Sequence, residues 1–128
     1  MNVLDENIVF SERRRLEAAK IHFRQIGVEL GRFGMKDRNE VIPLLHSLRR
    51  STFFTRDHDF YNSDLCSSKY CLVFLDVAFD EAAEFIRRFL RHRTFRTQAQ
   101  RMGLVVRAHR NGLRYWRGAS SREQRLQG

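Results

Sequence analysis

Ser51-Thr52-Phe53-Phe54-Thr55-Arg56-Asp57-His58-Asp59-Phe60 is the stretch that decides the fold. Its first five residues carry no charge and are rich in β-branched and aromatic side chains. That pattern predicts a strand buried on both faces, ended by the charged residues that follow. A second run of the same kind, Cys71-Leu72-Val73-Phe74-Leu75, is stopped by Asp76. Strands without polar alternation suit a mostly parallel sheet with helices on both faces.

The flanking sequence supplies those helices. Asn2-Val3-Leu4-Asp5 is a short apolar strand halted by an acid. Ser11, before Glu12-Arg13-Arg14-Arg15, reads as an N-cap, and Leu16, Ala19, Phe23 and Ile26 recur at helical spacing up to Gly27. Val28-Glu29-Leu30 resumes extended chain before a turn region, Gly31 to Gly34. A second helix is predicted from Asn39 or Glu40 to Arg49, started late because Pro43 is tolerated only near a helix N-terminus; this leaves Asp37 in the preceding loop. A third runs from Asp80 to His92, with Ala82, Phe85, Ile86 and Phe89 on one side. Leu104 to Arg107 and Leu113 to Trp116 form a hairpin around Asn111-Gly112. The order predicts one α/β domain over residues 1–117, with a polar, disordered tail over 118–128.

The chain has 128 residues and a net charge of +9, and all its bases except Lys20, Lys36 and Lys69 are arginine. Most of the excess charge lies in the second half. Arginine favours forked contact with phosphate or carboxylate, so a polyanionic partner is expected. No apolar stretch approaches the length of a membrane span. Cys66 and Cys71 lack partners at zinc-ligand spacing and predict reduced thiols, hence a cytoplasmic setting.

The acids have a pattern of their own. Asp5 and Glu6 follow the first predicted strand, Asp37 the second, Asp57 and Asp59 the third, and Asp76 ends the fourth. Each alone is an ordinary turn former. In a parallel sheet, however, all of these ends share one edge, where ligands bind. Clustered carboxylates repel unless a hard cation such as Mg²⁺ joins them. Such an ion activates water and neutralises charge on a phosphodiester.

Val3-Leu4-Asp5-Glu6-Asn7-Ile8, Gly34-Met35-Lys36-Asp37 and Phe54-Thr55-Arg56-Asp57-His58-Asp59-Phe60 together resemble the small PIN-like proteins, relatives of the PIN-domain ribonuclease toxins. The resemblance spans roughly residues 2–117. It implies a three-layer α/β/α fold, a Mg²⁺ or Mn²⁺ site, RNA cleavage and a small antitoxin protein as partner. It places catalysis on Asp5, Asp37, Asp57 and Asp59. For the ion, the expected ligands are Asp5, Asp57 and Asp59, with Asp76 replacing or supplementing an acid of the wider superfamily. A homodimer is among the expected assemblies.

Several neighbours have two readings. Glu6 and Asn7 either orient Asp5 or close the turn after the strand, and Thr55 caps or bonds an acid. Glu40 is either a further ligand or a favourable charge in a helix first turn. His58, between two acids, points away from them by strand alternation. Tyr115 and Trp116 face opposite sides of their strand, so either both pack against the helices or the more exposed one stacks on a base or covers a partner's surface. Arg87, Arg88, Arg91 and Arg93, followed by Arg96 and Arg101, are candidates for RNA-backbone contact or for an acidic antitoxin segment. A catalytically silent RNA-binding or protein-interaction module using this arginine surface is the alternative function. A phosphatase lacks the expected phosphate-cradling Gly-rich loop.

Overall fold

Among the described residues, four of the six strand pairings are parallel, and they build a single seven-stranded sheet of order β2-β1-β3-β4-β5-β6-β7. The computed structural model describes residues 1–35, 38–119 and 121–127. The strands are β1 (Asn2–Leu4), β2 (Arg24–Gln25), β3 (Ser51–Thr55), β4 (Tyr70–Leu75), β5 (Val105–His109), β6 (Gly112–Trp116) and β7 (Gln124–Leu126). The helices are α1 (Phe10–Ala18), α2 (Arg38–Ser47), α3 (Ala82–Arg91) and the short α4 (Gln98–Arg101).

β3 and β4 are buried along their whole length, as their uninterrupted apolar sequence requires. The sheet separates two cores. On one side α1 and α3 bring Leu16, Phe85, Ile86 and Phe89 onto Leu4, Phe54, Val73 and Val106. On the other, Val41 and Leu45 of α2 meet Val3, Phe53, Leu72 and Val105. Each of the fully buried rings, Phe53, Phe54, Phe60, Phe89 and Phe95, contributes roughly 1.5–3 kcal/mol of transfer free energy. The buried carboxylate of Glu12 joins the two helices of the first core by accepting from the Ala83 N–H at 3.0 Å, at the start of α3.

Several expectations are corrected. α1 begins at Phe10, with Val9 and not Ser11 at the cap, and it stops at Ala18. Lys20 adopts φ 60, and Ile21 N–H returns to the Leu16 carbonyl at 3.1 Å, closing a Schellman turn with a lysine where glycine is usual. Phe23 and Ile26 therefore lie outside the helix, and Arg24–Gln25 is the strand paired with β1. Val28 to Leu30, expected to be extended, folds into a tight turn whose N–H groups point back to the Gln25 carbonyl. The helix predicted to run to Arg49 starts at Arg38 and ends at Ser47, with Pro43 inside it.

The remaining corrections concern the C-terminal strands and the third helix. His109 pairs with Gly112, so the hairpin loop is Arg110-Asn111 and Gly112 belongs to β6. The tail, expected to be disordered, carries β7, which is held antiparallel on β6. The third helix, predicted from Asp80, is preceded by a 3-10 turn, Phe79–Glu81, and starts at Ala82.

Candidate functional site

Asp5 lies one residue beyond β1, and its backbone N–H still bonds the Phe54 carbonyl of β3. Its side chain is therefore held where the sheet ends, and it is only 3% exposed. Oδ2 accepts from the Thr55 hydroxyl at 2.6 Å and Oδ1 from the Glu6 N–H at 2.8 Å. Below it, the buried Gln25 amide donates to the Asp5 and Ile8 carbonyls and fixes the β1–α1 turn. Among the described residues, no cation pairs with this carboxylate. Burial raises its pKa to about 6; the Asp57 and Glu6 charges push the same way, against the two hydrogen bonds.

Thr55 Oγ1 is the hub. It also accepts from the Asp57 N–H at 3.0 Å and from the Asn7 amide at 3.3 Å, while Asn7 Oδ1 accepts from the Arg56 N–H. The ends of β1 and β3 are thus tied into one network. Glu6 turns away from Asp5 and accepts from the Gly34 N–H at 2.9 Å, anchoring the loop after β2. Gly27 makes room for it, since a Cβ there would stand 2.9 Å from Glu6 Oε2 and the backbone is at φ +87.

The other acids turn to partners of their own, Asp57 while staying close enough for its charge to act on Asp5. Asp57 accepts from the Asp59 N–H and caps the 3-10 turn His58–Phe60. The Asp59 side chain is exposed, and the His58 ring sits edge-on to Phe74 at 5.5 Å. Asp76 is neutralised by the fork of Arg107 from β5, with Nε at 2.9 Å. Glu40 pairs with Arg32. Asp37 lies outside the described residues.

Mg²⁺ and Mn²⁺ take oxygen donors, and Mg²⁺ commonly uses only one or two protein carboxylates beside water and substrate oxygens. Asp5 by its carboxylate and Asp57 by its backbone N–H meet at Thr55, and the carboxylates of these two neighbours are the donor type such an ion takes. Among the described residues, no group of three or more His, Cys, Asp or Glu side chains is arranged to hold an ion. The pair is what remains of the expected larger set.

Two groups of arginines bear on the expected RNA contact. Arg87, Arg88 and Arg91 are exposed on α3, with Arg88 bonded to Glu84 and lying over Phe85 at 5.0 Å. α3 packs on the side of the sheet opposite α2. Asp5 and Thr55 follow Val3 and Phe53 by two residues on their strands and share the α2 side. Arg93 is exposed in the chain after α3. Arg101, expected at the RNA surface, is buried instead and donates to Thr52, Phe95 and Arg96 oxygens. The second group, formed by Arg107, Arg114 and Arg125 on the C-terminal strands, escaped the sequence reading. Alternation within Val105 to His109 and Leu113 to Trp116 was the available signal.

Exposed aromatics stand in the segments that follow the strands at this end: Phe10 at the start of α1, Phe33 after β2 and Phe79 in the 3-10 turn after β4. Trp116, half-buried, stacks on Tyr61 at 4.4 Å, and Tyr115 is buried. Comparison of the chain with family models, curated proteins and solved structures finds no match. Among the described residues, no helix is long and apolar enough to cross a membrane.

Proposed function

We propose that the chain is a Mg²⁺- or Mn²⁺-dependent ribonuclease of the PIN-like kind, with Asp5 and Asp57 holding the ion. The observation that carries this reading is Asp5: a carboxylate buried at the carboxyl edge of a parallel sheet, beside a second acid and without a cation among the described residues. A bound ion would lower the pKa of a water and neutralise charge on the phosphate. Thr55 and the Glu6 N–H fix the Asp5 carboxylate, and Asn7 fixes Thr55. With this reading go the toxin role, the small antitoxin partner and a reducing cytosol, in which Cys66 and Cys71 stay free thiols.

The test is incubation of the purified full chain with RNA in Mg²⁺ or Mn²⁺, with and without EDTA. Cleavage is expected to require the ion and to fall about a hundredfold in Asp5→Asn and Asp57→Asn. Cleavage indifferent to EDTA, or unchanged in both variants, overturns the proposal. The pairing of Asp76 with Arg107 favours a second reading, a silent RNA-binding module. That reading expects RNA retention without products, unaffected by EDTA or by Asp5→Asn.

A further inference from the structure

Thr55, Phe74, Arg107, Arg114 and Arg125 stand directly opposite one another across β3, β4, β5, β6 and β7. Directly paired residues share a face, so one row runs from the hydroxyl that holds Asp5 to the edge of the sheet. On this face α2 and the turns around Phe60 and Leu65 cover the earlier strands. Beyond them lies an open concavity of about 310 Å³, lined by Arg107, His109, Asn111, Arg114 and Arg125, with no carboxylate among the described residues of its wall.

Stability does not explain the row. Like charges placed directly opposite one another weaken a sheet, and here two consecutive pairs, Arg107 with Arg114 and Arg114 with Arg125, do so. A charge on an edge strand discourages pairing with other chains, which accounts for Arg125 only. The available acids answer two of the three arginines. Asp76 takes Arg107, while Glu123 reaches Arg114 at 3.8 Å and is shared with the Tyr61 hydroxyl. Arg125 has no carboxylate partner among the described residues. Arginines in register on neighbouring strands, whose backbones lie roughly 5 Å apart, suit a partner whose negative charges repeat along a chain.

We infer that this row seats the phosphodiester backbone of single-stranded RNA, with phosphates on Arg114 and Arg125 and the strand passing Arg107 toward Asp5. The inference rests on the ribonuclease reading and names its substrate path. It moves the main RNA contact from α3, on the other side of the sheet, to the hairpin.

Binding of fluorescein-labelled oligouridylate to the full chain, followed by anisotropy in EDTA between about 50 and 200 mM salt, tests this without any cleavage. Replacing both residues, Arg114→Gln with Arg125→Gln, is expected to weaken binding about tenfold. It should also flatten the slope of log K against log salt by about 1.4, near 0.7 for each lost phosphate contact. Arg114→Lys with Arg125→Lys keeps the charge and should restore most of the affinity. Arg87→Gln with Arg91→Gln should cost less than the hairpin pair.

Wild-type affinity and slope in the Arg→Gln hairpin variant overturn the inference, as does a larger loss from the α3 pair. So does a wild type that ignores oligouridylate but binds polyglutamate through Arg114 and Arg125, which assigns the row to an acidic protein. Retained binding through the hairpin without metal-dependent cleavage leaves the row standing and removes the ribonuclease reading. Metal-dependent cleavage with no hairpin effect does the reverse.

Discussion

At the scale of single residues, Asp5 sets the behaviour of the site. Burial holds its pKa at about 6, against 3.8 for the ordinary group. The folded chain thus binds that proton more tightly than the unfolded chain. Between about pH 4 and pH 6 the native state carries more of it, so stability falls as pH rises through this window and levels off above it. Asp5→Asn removes the slope, although Asn cannot accept both of the hydrogen bonds from Thr55 and Glu6. Urea unfolding in EDTA should therefore show the variant gaining about 1–2 kcal/mol on wild type between pH 4 and pH 7. Parallel stability profiles for the two proteins would refute this account of Asp5. The same residue was legible in the sequence as an acid ending an apolar run. A bond from Thr55 to an acid was legible too; what the sequence did not show was that the same oxygen would also accept from the Asp57 N–H and from Asn7, which is 48 residues away until β1 and β3 pair. Arg107 was hidden for a related reason: its partner Asp76 is 31 residues away and is brought close only by the β4–β5 pairing.

At the scale of elements, legibility followed burial. β3 and β4 were readable because every residue in them is buried, and α3 because Phe85, Ile86 and Phe89 fall on one side. The segment from Ala19 to Leu30 was not, because its punctuation is unusual. A Schellman turn normally announces itself with glycine, whereas here Lys20 takes the left-handed conformation at φ 60. Relieving that strain gives a prediction: Lys20→Gly should raise the unfolding free energy by about 1 kcal/mol, seen as a higher urea midpoint with an unchanged slope. The hairpin misled in the opposite way, since Gly112 looked like a turn residue. In the structure it is a strand residue at φ +127, and a Cβ there would lie 2.5 Å from the Leu126 carbonyl oxygen. Glycine at this position lets β7 approach β6. Gly112→Ala should cost about 1–3 kcal/mol and release β7, detected as loss of amide protection at Arg125 with β3 and β4 still protected.

At the scale of the whole molecule, a net charge of +9 presses on the native state through self-repulsion, and the arginine row concentrates that pressure on one face. The opposite side is closed by α1 and α3, with Glu84 and Glu12 answering Arg88 and Arg15. The open side carries Arg107, Arg114 and Arg125 in register with two acids between them. A surface shaped for stability would have alternated the signs across those three strands; a surface shaped for a polyanion keeps them alike and gives up stability until the partner arrives. The two explanations lead to opposite signs in one measurement. If the row serves binding, Arg125→Gln should stabilise the free protein by about 0.5 kcal/mol at low salt, and the gain should vanish as salt screens the repulsion. If Arg125 is there to hold β7 in place, the same change should destabilise at every salt concentration. Thermal unfolding of wild type and variant across a salt series, without RNA, separates the two. The expected result is a variant that melts higher at low salt while binding RNA more weakly, since the charges that weaken the free sheet are those that the phosphate backbone neutralises.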